Sequence, residues 1–430
     1  MLAVNLAFFQ KAFFDPERSC LDNNCRTQRR EDLMPSLFSR LKKDKTADKD
    51  EPYAGSVRVL RSTEFAFHLF EKLNPGEHNL AVCPYGARAV LGMLFEGSTG
   101  DTRKEIAETL RLDEDPNSSG NCYERLGRPL GFQLETERRG LEMLTANSLW
   151  CDDGFVPNEE YAKTLKEHYW ASIHALSFRA PDAAGQVNRW AQEKTRGKIR
   201  EVISSLEENS PLIALNAVYF KGLWITPFEA ERTKLEEFTL QNGAKELVPM
   251  MRRTGEFSYI ERGGAQIVRL PYRGSMSMCV LLPKRDLSFP KFCAELRSSA
   301  GTFTAAMAER PGHVRLPKFR IETEADLTAP LKAMGMERAF DPAGAALERI
   351  SEIKRLYMRG VFQKDFVEVN EKGTEAAAVT HESCLEALDP EPPPPPFEMI
   401  VDRPFVFAIC DDFTRTVVFL GAVVDPMATQ

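Results

Sequence analysis

An α+β fold built largely of antiparallel sheets is what this chain predicts, on three observations. Helical periodicity concentrates in the first half and strand periodicity in the second, so the two element types are segregated, not alternated. At 430 residues and 43% hydrophobic composition the chain can bury a large core, although length alone does not choose between one big domain and several smaller ones. Neither an internal repeat nor an interdomain linker interrupts the pattern.

Residues 1–55 read as a poorly ordered extension, because charged and polar residues dominate from Asp15 to Glu51 with little hydrophobic period. The folded domain is expected from about residue 56 to 430, with its first element near Ser62, where Phe65, Leu69, Phe70 and Leu73 mark one face of a helix. A second helical pattern runs from Ala87 to Phe95 and stops at Gly97. Thr102 and Glu105, three apart ahead of Ile106 and Leu110, predict a capping box on a third. Asn147 to Cys151 is strand-like, and Glu159 to Tyr169 and Asp182 to Arg196 are helical, the latter with Val187, Trp190 and Ala191 inward. Strands are then predicted at Leu212–Phe220, Phe257–Ile260, Gln266–Leu270, Met276–Leu282, Val314–Ile321, Val361–Val369, Phe405–Ile409 and Val417–Val423. Pro390 and Pro392 to Pro396 predict a stretch of polyproline II, read as a stiff spacer in an exposed loop rather than as an SH3-type ligand.

Composition excludes several function classes. A net charge of -7 and a pI near 5.7 argue against a nucleic-acid surface, and the basic residues between Arg26 and Lys45 are interspersed with acids, as on a solvated face. No apolar run is long enough to span a membrane. The nine cysteines make no dense framework, and their odd number leaves at least one thiol without an internal partner. Cys20 and Cys25 lack a second ligand pair, which argues against zinc. No G-x-S-x-G, H-E-x-x-H or phosphate loop points to an enzyme. The opening MLAVNLAFF has neither a basic n-region nor a small-residue cleavage site, so it makes a weak secretory signal. The sequon at Asn117 matters only on the secretory route.

The most informative stretch is Val367 to Thr380, VEVNEKGTEAAAVT. It alternates like a half-buried strand and then passes without a break into Gly373, Thr374, Glu375, Ala376, Ala377 and Ala378, small residues that could slide between existing strands. It closely resembles the proximal hinge of the reactive loop in serpins, the serine protease inhibitor superfamily. Asn216 to Phe228, NAVYFKGLWITPF, resembles a second serpin segment, and further matches run from Asn147 with Phe155 through Leu316–Phe319 to Phe419-Leu420-Gly421 with Asp425-Pro426. The resemblance covers roughly residue 62 to the end. It implies the serpin fold with an exposed reactive loop at about 371–402, a target serine protease as covalent partner, a monomeric inhibitor and no cofactor. It favours secretion and leaves an intracellular location open.

In that family the main sheet opens over a polar cluster supplied by a Ser-Pro-x-Ser helix start, a strand Asn and a His. By resemblance the corresponding positions here are Cys83, Gly86, Asn216 and Gln363, with Trp224 assigned to the same opening region. Thiol, hydrogen and amide replace hydroxyls and imidazole, which implies altered opening with the fold intact.

The family's spacing from Glu371 places the reactive bond at Ala387–Leu388. The proline-lengthened segment leaves Cys384–Leu385, Leu385–Glu386 and Leu388–Asp389 open as alternatives. Between Lys372 and Arg403 there is no Lys or Arg, which disfavours a trypsin-like target and favours elastase-, subtilisin- or chymotrypsin-like ones. His381 and Cys384 lack an orienting third group and are not read as a nucleophilic pair. If Gly373 to Ala387 entered a sheet it would span roughly 50 Å at about 3.3 Å per residue. Its inward set would be Ala376, Ala378, Thr380, Glu382, Cys384 and Glu386, the glutamates being costly to bury. A non-inhibitory carrier, chaperone or storage serpin is the alternative reading.

Overall fold

The computed structural model describes residues 54–73, 75–76, 78–112, 140–206, 211–298, 307–352, 356–373 and 395–428. The chain divides into two units, Met1–Pro52, outside the described residues, and Tyr53–Gln430.

Among the described residues, two sheets and a set of helices form the second unit. The helices are α1 (Ala54–Lys72), α2 (Pro84–Gly97), α3 (Gly100–Thr109), α4 (Glu159–Tyr169), α5 (Ala183–Lys194), α6 (Phe289–Leu296) and α7 (Thr328–Ala333). The strands are β1 (Leu80–Val82), β2 (Leu141–Cys151), β3 (Ser172–Ala175), β4 (Leu212–Gly222), β5 (Lys234–Thr239), β6 (Lys245–Arg262), β7 (Ala265–Tyr272) and β8 (Met276–Pro283), followed by β9 (Ala308–Pro317), β10 (Phe319–Asp326), β11 (Gly360–Val369), β12 (Phe397–Ile400), β13 (Phe405–Asp411) and β14 (Val417–Val423). A nine-stranded sheet runs β1-β14-β13-β8-β7-β6-β9-β12 with β5 on β6, and a five-stranded sheet runs β10-β11-β4-β2-β3. Most pairs are antiparallel; β2/β3, β9/β12 and β4/β11 are parallel.

The five-stranded sheet is covered on both faces. Val218 and Phe220 of β4 pack with Phe407, Phe419 and Val280 of the other sheet, while Leu215, Ala217 and Tyr219 pack with Val187, Trp190 and Ala191 of α5. Burial on both faces is why β4 reads as a nearly unbroken apolar run instead of an alternation. A third cluster lies among the helices, where Phe65, Leu69 and Phe70 of α1 meet Leu91, Leu94 and Phe95 of α2.

Several expectations need correction. The first helix starts at Ala54, upstream of Ser62. The capping box does not form: α3 begins at Gly100, Thr102 Oγ1 accepts from the Ala346 N–H, and the Glu105 carboxylate accepts from Glu337 and Arg338 N–H. Both side chains are drawn off into tertiary bonds. The strand expected at Val314–Ile321 is two strands in different sheets, β9 ending at Pro317 and β10 starting at Phe319, with the crossing at Lys318. The short strand expected at Phe257–Ile260 is the end of the 18-residue β6, whose earlier part was hidden by Arg252, Arg253, Gly255 and Glu256.

Candidate functional site

The central seam of the five-stranded sheet joins β4 and β11, with Gly360–Val367 lying parallel to Ile213–Phe220. Register puts Gln363 beside Asn216 and Asn216 beside Asn147, so three amide side chains form one row across three strands. Gln363 Nε2 donates to Asn216 Oδ1 at 2.7 Å and to the Cys83 carbonyl at 2.9 Å. Asn216 Nδ2 donates to Asn147 Oδ1 at 2.7 Å, and Asn147 Nδ2 to the Tyr169 carbonyl at 3.3 Å. The chain of bonds thus ties α2 and α4 across the seam.

Local sequence explains the geometry. Cys83 caps α2 with its sulfur accepting from Gly86 N–H at 3.3 Å, and Pro84 occupies the first turn, where its missing N–H is no loss. A Cβ on Gly86 would sit 2.2 Å from Asn216 Oδ1, so the Asn216 amide fills the space a side chain would need. The structure therefore brings Cys83, Gly86, Asn216 and Gln363 together. Trp224 does not join them.

Two members of this cluster were missed at the sequence level. Asp365, two residues after Gln363 on the same inward face of β11, is fully buried, and its Oδ2 accepts from Cys83 N–H at 3.0 Å. Thr323 of β10 accepts from Ala81 N–H at 3.0 Å. The signal was present: Val361, Gln363, Asp365, Val367 and Val369 share one buried face, and polar residues at inward strand positions need a partner. Burial pushes both the Asp365 carboxyl and the Cys83 thiol well above their ordinary pKa values. Replacing Gln363 by Ala leaves Asn216 Oδ1 short of a donor and is expected to lower stability by about 1–3 kcal/mol in denaturant unfolding. Gln363→His, which keeps a ring N–H, should fall between; an unchanged midpoint in both would show that the row does not hold the seam.

Trp224 lies at the end of the seam, where β11 runs out into the turn at Asn370–Gly373. Its Nε1–H donates to the Asn370 carbonyl at 3.0 Å and its backbone N–H to the Lys372 carbonyl at 3.2 Å. The indole stacks on Tyr272 at 4.0 Å with 9° between planes. Phe228 N–H donates to the Glu371 carbonyl at 2.8 Å, and the Glu371 carboxylate meets Lys318 Nζ at 3.0 Å and Thr233 Oγ1 at 2.9 Å. Burial pushes Glu371 upward, but its own backbone N–H, Lys318 and Thr233 outweigh this and hold it below the usual glutamate value. A turn closes from the Gly373 N–H to the Asn370 carbonyl at 3.1 Å, with Gly373 at φ +88°. A Cβ there would meet the Gly222 carbonyl at 2.2 Å, so this position requires glycine twice over, for its dihedral and for its space. Beside the turn lies a cleft of about 480 Å³ walled by Lys318, Phe319, Asn370, Glu371 and Met427.

Of the residues expected to form a hinge, Glu371 and Gly373 belong to this turn, while Thr374, Glu375, Ala376, Ala377 and Ala378 lie outside the described residues. So do Ala387, Leu388, Cys384 and Leu385, the candidate reactive-bond residues. Among the described residues there is no cluster of His, Cys, Asp or Glu suited to a metal ion. No helix among them is long and apolar enough to cross a membrane.

A serpin (serine protease inhibitor) family model matches residues 60–426. An uncharacterised serpin-like protein of Thermococcus kodakarensis is 35% identical over 371 residues, 84% of each chain. The leukocyte elastase inhibitor of Xenopus laevis is 30% identical over 380 residues, 85% of this chain and 98% of that protein. The crystal structure of mouse protein Z-dependent protease inhibitor superposes with a TM-score of 0.76 at 26% identity, over 87% of this chain and 98% of that one. With the closed central seam, the glycine-hinged turn beyond it and these matches along the length of the folded unit, the chain belongs to the serpin family.

Proposed function

We propose that the protein is a suicide-substrate inhibitor of serine proteases, in which residues 371–402 act as the reactive loop of a domain spanning 56–430. The observation that carries this reading is the parallel β4/β11 pair with the chain reversing at the end of β11. A segment that turns back at Gly373 and enters between these strands is antiparallel to both, and antiparallel pairing is slightly the more stable kind. One inserted strand would replace the sheet's central parallel contact by two antiparallel ones.

Register makes the proposal specific. Continuing the antiparallel register of the Asn370↔Gly373 bridge sets Thr374 beside Val369, Ala376 beside Val367, Ala378 beside Asp365, Thr380 beside Gln363 and Glu382 beside Val361. Thr374, Ala376, Ala378 and Thr380 are all small or hydroxylated. Thr380 would meet Gln363 Oε1, which lacks a partner among the described residues. Glu382 would meet the apolar cluster around Val361, so insertion slows there and some protease escapes before it is trapped.

The chemistry begins as ordinary proteolysis. The protease serine oxygen attacks the carbonyl carbon of Ala387, an ester forms, the Ala387–Leu388 bond breaks, and the new amine of Leu388 leaves with a proton. Insertion then carries the acylated enzyme away before water cleaves the ester. An Ala or Leu at the cleaved bond suits small or apolar specificity pockets, so elastase-, subtilisin- or chymotrypsin-like enzymes are the targets and trypsin-like enzymes are not. Incubation with one protease of each type, followed by denaturing gels, tests the reading. A heat- and detergent-stable complex with at least one of the first three supports it. Clean cleavage by all three without any complex would make the protein a substrate and favour a carrier or storage role.

A further inference from the structure

Asp365 is a buried acid that trapping of a protease does not by itself require. Gln363 and Asp365, both fully buried, grip opposite sides of one residue: Gln363 donates to the Cys83 carbonyl at 2.9 Å and Asp365 accepts from the Cys83 N–H at 3.0 Å. Each is left with an acceptor oxygen, Gln363 Oε1 and Asp365 Oδ1, that has no partner among the described residues. Asp365 stands beside Val218 of β4 in the closed seam, at the level where the strands must part.

Among the described residues no opposite charge pairs with it. From the start of α2 it faces the Cys83 backbone and thiol, from β10 the hydroxyl-bearing Thr323, its register partner there, and from β4 the side of Val218. Lys364 is on the opposite face of β11, 3.3 Å from Glu322 and 3.8 Å from Glu324. An ionised carboxylate here would have one amide hydrogen bond and no opposite charge, a poor exchange for water.

We propose that Asp365 is a proton-controlled latch on the β4/β11 seam: neutral while the sheet is closed, it ionises when β4 moves off β11 and water enters, so that opening the sheet releases one proton. This rests on the sheet-opening reading above. Burial raises the carboxyl in the closed form, in keeping with a proton held there. The sign follows from linkage. The stability that the neutral acid lends the closed sheet is complete below the unfolded aspartate value of about 3.9, and is lost as pH climbs from there toward the closed-state value. Rising pH therefore favours opening, and mild acid keeps the inhibitor closed.

The experiment compares the full chain with Asp365→Asn, which keeps an acceptor for Cys83 N–H but does not titrate, and with Asp365→Ala as a second variant. A synthetic peptide with the sequence of residues 374–387 is offered as the inserting strand, and its uptake is timed on native gels from pH 5 to 9. The unmodified protein should take up peptide faster as pH rises, by up to about tenfold per unit within the linkage window, while both variants show a flat profile. Cys83→Ser, which removes the neighbouring thiol, should keep the slope. Equal slopes in the unmodified protein and the Asn variant overturn the latch. If no form takes up peptide at any pH, the inhibitory reading is what has failed, and denaturant unfolding then decides on Asp365. The stability difference between unmodified protein and Asn variant must shift against the unmodified protein as pH rises from 4 to 9, and parallel profiles overturn the proposal.

Discussion

Replacing Ala376 by arginine is expected to abolish the covalent protease complex while leaving the loop cleavable. In the proposed insertion, in the register of the turn at Gly373, Ala376 would lie beside Val367, which is fully buried against the inter-sheet core containing Phe220, Phe407 and Phe419. A guanidinium forced into that layer has no partner, and burying an unpaired charge carries a penalty of several kcal/mol. At about 1.4 kcal/mol per factor of ten, such a penalty slows insertion by two or more orders of magnitude, so deacylation wins and the enzyme is released. The gel should show cleaved inhibitor and free protease. Glu375→Arg is the matched control, since on insertion that position would fall beside the partly exposed Glu368 on the other face, and complex formation should be retained. If the Ala376 variant still traps protease as the unmodified protein does, the strand does not enter in this register.

Truncating Trp224 to alanine is expected to give the largest loss of stability, about 3–5 kcal/mol, as for other fully buried large aromatics. The indole is 1% exposed, stacks on Tyr272, meets Phe228 edge-on and holds the Asn370 carbonyl at the mouth of the seam. Denaturant unfolding should show the loss, and Trp224→Phe, which keeps part of the ring contact but gives up the N–H, should recover most of it. A loss under 1 kcal/mol for the alanine variant would mean that the mouth of the seam is held chiefly by the Phe228–Glu371 and Lys318–Glu371 contacts.

Much of this arrangement was legible in the sequence, for physical reasons that differ from element to element. β11 shows the two-residue period of a strand, and β4 the continuous apolar run of a strand covered on both faces. The cluster of Cys83, Gly86, Asn216 and Gln363 came from the family resemblance, since nothing local brings residues so far apart in sequence to one place. Long-range capture of side chains defeated the capping-box expectation, because Thr102 and Glu105 serve Ala346, Glu337 and Arg338 instead of their own helix. The crossing at Lys318 was hidden because apolar alternation continues on both sides of it while the hydrogen-bond partners change from β6 to β11. Asp365 was overlooked because an acid in a strand normally points to water. Its parity with Val361 and Val367 was the only sign that it does not.

A melting comparison of the intact protein with a form nicked between residues 374 and 394 tests the central claim most directly. If the closed β4/β11 seam is waiting for one more strand, the nicked chain gains that strand and melts at a higher temperature than the intact one. A nicked form that melts at the same temperature, or lower, would contradict it.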